Sequence, residues 1–195
     1  MSKNILVLFF FCFFTVVVSA QQTFVTVNYE PADTKDKLII SYKYGDKLSW
    51  ADFQGIPTDT DNTAAITSSG IGYNFKLHRT EDSSSFTFIV NCTFSKTKSW
   101  VKEAKNDYVL KHEQNHFDIS YINTLLFIKK LRAANFSSTE YRKEITRLYR
   151  ETANELAIMQ NNYDTQTLNG RDKDKQKEWD EKIEKQLKLL QSEVL

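Results

Sequence analysis

Cysteine is nearly absent. Of the two in this 195-residue chain, Cys12 falls inside an apolar leader, so the part beyond the leader keeps only Cys92 and has no internal disulfide. Stability must then come from packing, helped at most by a bound metal. Net charge is equally scarce. Twenty-six basic residues face 25 acidic ones, and removal of Lys3 with the leader leaves the two signs balanced. That balance argues against nucleic acid, or an anionic membrane surface, as an electrostatic partner. Long apolar runs are missing too. The run from Ile5 to Val18, interrupted by Thr15, is shorter than the ~20 residues needed to span a bilayer. Lys3 precedes it and the small-residue site Val18-Ser19-Ala20 follows. Residues 1–20 therefore read as a signal peptide cut near Ala20, which predicts an exported protein, periplasmic or secreted, with no membrane span after leader removal. There is no internal repeat and no low-complexity linker. About 175 remaining residues suffice for one domain, 21–195, with its own core.

What is present changes period once. Up to about residue 98 the apolar positions alternate. Thr23 to Asn28 and Lys37 to Tyr42 are short strand-like runs separated by a turn around Pro31 and Asp33, and residues 58–63 form a polar loop. Ser49, three residues before Asp52, suggests a single capped turn with Trp50 and Phe53 tucked inward. Ile71, Tyr73, Phe75 and Leu77 alternate with small or polar residues, as do Phe86, Phe88, Val90, Cys92 and Phe94. A turn at Glu81 to Ser84 makes these two runs a hairpin with one apolar face, on which Cys92 is a buried, inert thiol. After Trp100 the period becomes 3.6. One helix is expected from about Asp107 to Ala133. A second, opened by a capping box of Ser137 and Glu140, carries the stripe Tyr141, Ile145, Leu148, Leu156 and Met159. A third follows Gly170, with Trp179, Ile183, Leu187, Leu190 and Val194 on one side. Strands first and helices afterwards predict an α+β domain, antiparallel strands followed by three helices.

The chemistry concentrates in the first helix. His112-Glu113-Gln114-Asn115-His116 is a His-Glu-x-x-His pattern using two of only three histidines. Four residues apart on a helix, His112 and His116 differ by roughly 40°, so both imidazoles can reach one metal ion. Glu113, ~100° further round, stands beside that ion, placed to act as a general base without being a ligand. The plainer alternative is a pair of ordinary helical histidines, here on the edge of an apolar face formed by Phe117, Tyr121, Leu125 and Ile128.

Several segments together carry a resemblance: Leu48-Ser49-Trp50-Ala51-Asp52-Phe53-Gln54-Gly55, Ser68-Ser69-Gly70-Ile71-Gly72-Tyr73, Ser99-Trp100-Val101, Lys111 to Asp118, Tyr163-Asp164, and Gln176-x-x-Trp179. Their order and spacing resemble the DUF922 family of exported bacterial proteins, predicted to be zinc-dependent proteases. The resemblance covers nearly all of the chain beyond the leader. It implies a zincin-like fold, a Zn2+ cofactor, a peptide or protein substrate, and a third histidine ligand in a Thr-x-His-(Ser/Gly) context. Here that segment is Thr167-Leu168-Asn169-Gly170, so Asn169 stands where the ligand is expected. An amide oxygen is a weaker donor than imidazole.

Other candidates carry plainer readings beside their functional ones. Asp164 offers a carboxylate as third ligand, or simply forms a turn after the second helix. Glu151 and Glu155 can reach inward from that helix, though exposed glutamates are commoner. His78 falls on the polar face of its strand. Gly70 and Gly72 mark a bulge or a close backbone approach, including one by a substrate strand. Asp118, ~200° from His116 on the helix, tethers the helix to the strands, and Tyr163 is a candidate oxyanion donor. Two functions follow: an exported zinc metallopeptidase with Glu113 as base, or a catalytically silent relative serving as an envelope binding or scaffold protein.

Overall fold

Residue period decides where the sheet ends and the helices begin. The computed structural model describes residues 22–32, 37–58, 64–103 and 105–195. The expected signal peptide, the turn residue Asp33 and most of the polar loop lie outside the described residues. The elements are β1 (Gln22–Tyr29), β2 (Ile39–Ser41), a 3-10 turn (Trp50–Asp52), β3 (Ala65–Ile66), β4 (Ser69–Arg79), β5 (Ser83–Ser95), β6 (Trp100–Val101), α1 (Asp107–Ala133), α2 (Tyr141–Thr167) and α3 (Lys173–Val194). Strands precede helices, so the domain is α+β. No described helix is long and apolar enough to cross a membrane.

Strand β5 is the axis of the sheet because its alternation is strictest. Phe86, Phe88, Val90, Cys92 and Phe94 are all fully buried, while every neighbour between them is partly exposed. A strand with one wholly apolar face must keep its register, since a one-residue slip would turn that face to water. β4 runs antiparallel along one edge of β5 in an unbroken register from Ser69↔Phe94 to Arg79↔Ser84. β1 and β2 share the other edge end to end, β1 against Ser83 to Val90 and β2 against Thr93 to Ser95.

The expectation of antiparallel strands needs one correction: β1 runs parallel to β5. Parallel neighbours need a crossover of a dozen or more residues. The chain between β1 and β5 supplies it, passing through β2, the 3-10 turn, β3 and β4 before returning. The bulge expected at Gly70 or Gly72 does not occur. Gly72 instead makes room across the sheet, where a Cβ would come within 2.4 Å of Asn91 Oδ1 on its register partner.

Helix α1 lies against the buried face of this sheet and is the hub of the fold. Asn106 caps its start by accepting a hydrogen bond from Val109 N. The sequence pattern suggests half-burial, but 16 of its residues are buried, because α2 and α3 cover the sides that the sheet leaves open. The stripes read from the sequence do this covering: Tyr141, Ile145 and Leu148 from α2, and Trp179, Ile183, Leu187, Leu190 and Val194 from α3. Asp118 tethers α1 to the strand region as expected. It accepts hydrogen bonds from Tyr42 Oη (2.9 Å), just past β2, and from Gln114 Nε2 (2.8 Å). Gln114 Oε1 in turn accepts from Leu48 N at 2.8 Å. Cys92, deep in this core, has its thiol pKa pushed up by burial. These bonds fasten α1 to the strand region.

Candidate metal centre

The N-terminal half of α1 presents His112 and His116 to the last two turns of α2. Four-residue spacing brings the imidazoles together, with ring centroids 4.9 Å apart and Nε2 to Nε2 3.2 Å. Asp164 meets both. Its Oδ1 lies 3.2 Å from His112 Nε2 and 2.9 Å from His116 Nε2. Three donor atoms therefore form a nearly equilateral triangle. A divalent transition-metal ion with four tetrahedral bonds of ~2.0–2.1 Å holds its donors ~3.3–3.4 Å apart. The observed edges are within a few tenths of an ångström of that figure, so the residues fit a metal ion that pulls them slightly outward. His112, His116 and Asp164 thus lie close enough together to hold one metal ion.

Electrostatics support one shared charge at this point. Burial works to raise the Asp164 carboxyl pKa, yet the hydrogen bonds and charges of His112 and His116 outweigh it and hold the group well below the usual carboxylate range. Burial alone would depress His116, but Asp164, with Glu113 and Gln160 assisting, raises it instead. Protons and a metal ion would compete for these same donor atoms.

Asp164 is therefore brought to the two histidines, while Asn169 takes a different place. Of the two readings the sequence leaves for Asp164, third ligand or turn past the second helix, the turn does not occur, because α2 continues to Thr167. Leu168, Asn169 and Gly170 then follow with φ of 52°, 53° and 76°, three successive left-handed residues that fold the chain back toward α3. Asn169 is exposed there and donates its backbone N–H to the Asp164 carbonyl at 2.8 Å. Glu151 and Glu155 also stay away from the histidines. Both pair with Lys130, and Glu151 with Arg147 as well. His78 is exposed on β4, as its place on the polar face predicts.

Gly170 is the exception in that turn, because it must be glycine for two reasons. Its φ is left-handed, and a Cβ would stand 3.2 Å from His112 Nδ1. Gly170→Ala is expected to cost ~1–2 kcal/mol of stability and to displace the His112 ring. Urea unfolding, with metal affinity measured alongside, checks both effects.

Glu113 is 96% removed from solvent. Thr67, in the short link between β3 and β4, donates its hydroxyl to Glu113 Oε2 at 2.8 Å. The other carboxylate oxygen has no hydrogen-bond partner among the described residues. Tyr163 is not an oxyanion donor: its fully buried hydroxyl donates to the His112 carbonyl (3.3 Å) and accepts from Asn115 Nδ2 (3.1 Å) and Gln176 Nε2 (2.6 Å). Its ring stacks on His112 at 4.6 Å and meets His116 edge-on at 4.9 Å. Tyr163 thus forms the apolar wall behind both imidazoles. Burial pushes its phenol pKa up, in keeping with a neutral packing role.

Two residues that the sequence does not single out as functional touch the histidines directly. Gln176 Oε1 lies 2.9 Å from His112 Nδ1, and Gln160 Oε1 contacts His116 Nδ1. The sequence signal for Gln160 is its four-residue spacing from Asp164, which puts both on one face of α2. Comparison with known protein families, with characterised proteins and with solved structures found no match in any of the three. The functional reading accordingly rests on the side chains themselves.

Proposed function

We propose that this chain is a zinc-dependent metallopeptidase, exported to the periplasm or beyond, with a peptide or protein as substrate. The observation that carries the reading is the triangle of His112 Nε2, His116 Nε2 and Asp164 Oδ1 with Glu113 adjoining it on the same helix turn. Two imidazoles and a carboxylate with one open position are a donor set typical of catalytic zinc. A zincin-like arrangement of the long helix against the sheet, and kinship with the family whose motifs the chain resembles, belong to the same proposal.

The roles divide as follows. His112, His116 and Asp164 hold the ion. A bound zinc supplies a Lewis acid that polarises the scissile carbonyl and lowers the pKa of an attacking water toward ~7. Glu113 takes a proton from that water through the oxygen that Thr67 leaves free, as the new C–O bond forms. It then delivers the proton to the amide nitrogen as the C–N bond breaks, so the products are a carboxylic acid and an amine. Tyr163 and Trp179, packed at 5.4 Å, keep water from the back of the site.

A silent relative that keeps metal and fold but performs no hydrolysis is the second reading. The burial of Glu113 and its bond to Thr67 favour it. The two readings separate in one experiment. Purified protein loaded with zinc is expected to hold one ion per chain and to cleave an unstructured protein substrate, with activity lost to a chelator and restored by zinc. One ion per chain without any cleavage supports the silent relative; no bound zinc overturns both.

A further inference from the structure

The hydrogen-bonding roles of two glutamines can be assigned without ambiguity, and they determine the state of both histidines. A backbone carbonyl can only accept. The Gln160 amide nitrogen lies 2.9 Å from the His116 carbonyl, so that end of the amide is the donor and Oε1 faces His116 Nδ1. An amide oxygen also only accepts, so His116 Nδ1 carries a proton and Nε2 is the nitrogen left to offer a lone pair to a metal. The same logic holds for Gln176. Its Nε2 lies 2.8 Å from Asp180 Oδ1, a carboxylate oxygen, which leaves Oε1 to accept from His112 Nδ1 at 2.9 Å.

We infer that Gln160 and Gln176 are paired positioning residues that lock both imidazoles as Nδ1–H tautomers and aim both Nε2 lone pairs at one metal position. The inference rests on the metal reading above. Each imidazole belongs to α1, but one is held from α2 and the other from α3. The third helix thus contributes no ligand and still fixes one. Neutral amides suit this place. Gln160 donates to the backbone carbonyl of the residue whose ring it accepts from, which a carboxylate cannot do. Two neutral amides also leave Asp164 as the one charged donor, so a divalent ion keeps net positive charge and remains a strong electrophile.

The test compares zinc affinity, by competition with a chelator, in the parent and in Gln160→Met, Gln176→Met, Gln160→Glu and Gln114→Met. Metal-free thermal unfolding is recorded for each. Methionine keeps the volume and removes the acceptor, so each of Gln160→Met and Gln176→Met should bind zinc ~10–100-fold more weakly. Gln160→Glu keeps an acceptor for His116 Nδ1 and loses only the donor. It should lose thermal stability while keeping zinc affinity within about threefold of the parent or better. Gln114→Met removes a buried glutamine of α1 that touches neither imidazole, and should lose stability without losing zinc. Met variants that bind as tightly as the parent overturn the inference and leave the metal reading standing. So does a Gln114→Met loss as large as theirs, or a Gln160→Glu loss equal to that of Gln160→Met. A parent that binds no zinc overturns the metal reading, and the role of the glutamines with it.

Discussion

Asp164→Ala is expected to weaken zinc binding by more than ~100-fold, beyond the ~10–100-fold that loss of an outer hydrogen-bond partner costs. Asp164 Oδ1 is one corner of the donor triangle and its one anionic member. Removing it leaves two neutral imidazoles 3.2 Å apart with nothing to oppose the charge of the ion. The fold should survive, because the Asp164 side chain is 39% exposed and its backbone carbonyl, which accepts from Asn169 N, is unchanged. Asn169→Gly is the matched control. Glycine accepts a φ of 53° without strain, so that variant should bind zinc as the parent does. A chelator competition on the three proteins decides the matter. Equal affinity in parent and Asp164→Ala would remove Asp164 from the coordination sphere, and a loss in Asn169→Gly alone would put the third donor in the turn.

The difference between Asp164 and Asn169 also shows what a single sequence can convey. Period carries the elements well. The bounds of α1 read from the 3.6-residue repeat coincide with those observed, Asp107 to Ala133, and the five apolar positions assigned to α3 are all buried. Period says nothing of what covers a helix, which is why α1 looks half-buried and is encased. Local propensity left two readings open at the end of α2. Asp is a poor helix former and a good turn residue, so Asp164 could be a turn as readily as a ligand. Docking against α1 outweighs the turn preference: α2 continues to Thr167, and the Asp164 carboxylate meets both histidines. The orienting role of the glutamines was illegible for a different reason, though Gln176 stands in a quoted motif: an orienting hydrogen bond depends on which helices pack together, and Gln176 lies 64 residues from His112. Parallel pairing of β1 with β5 was hidden likewise, since strand direction follows from the path of the intervening chain.

Glu113→Gln is expected to keep zinc and lose hydrolysis, with kcat down by ~10²–10⁴-fold, the range a positioned acid–base group supplies. Gln has nearly the same shape, and its amide oxygen can still accept the Thr67 hydroxyl at the place of Oε2, so the local packing is preserved. What it cannot do is take a proton from water. The His112, His116 and Asp164 donors are untouched, so affinity in the chelator competition should match the parent. His112→Ala and His116→Ala, by contrast, should lose both metal and activity, and in each the remaining imidazole faces Asp164 alone. The comparison separates base from ligand because only a base is lost without the ion. Cleavage by Glu113→Gln at the parent rate would assign the proton transfer to another group. Loss of zinc together with activity would make Glu113 part of the structure that holds the ion. The Thr67 bond refines the expectation further. Thr67→Val frees the carboxylate from its tether while removing no base, and should lower kcat by less than Glu113→Gln does, since the proton acceptor remains and only its aim is lost.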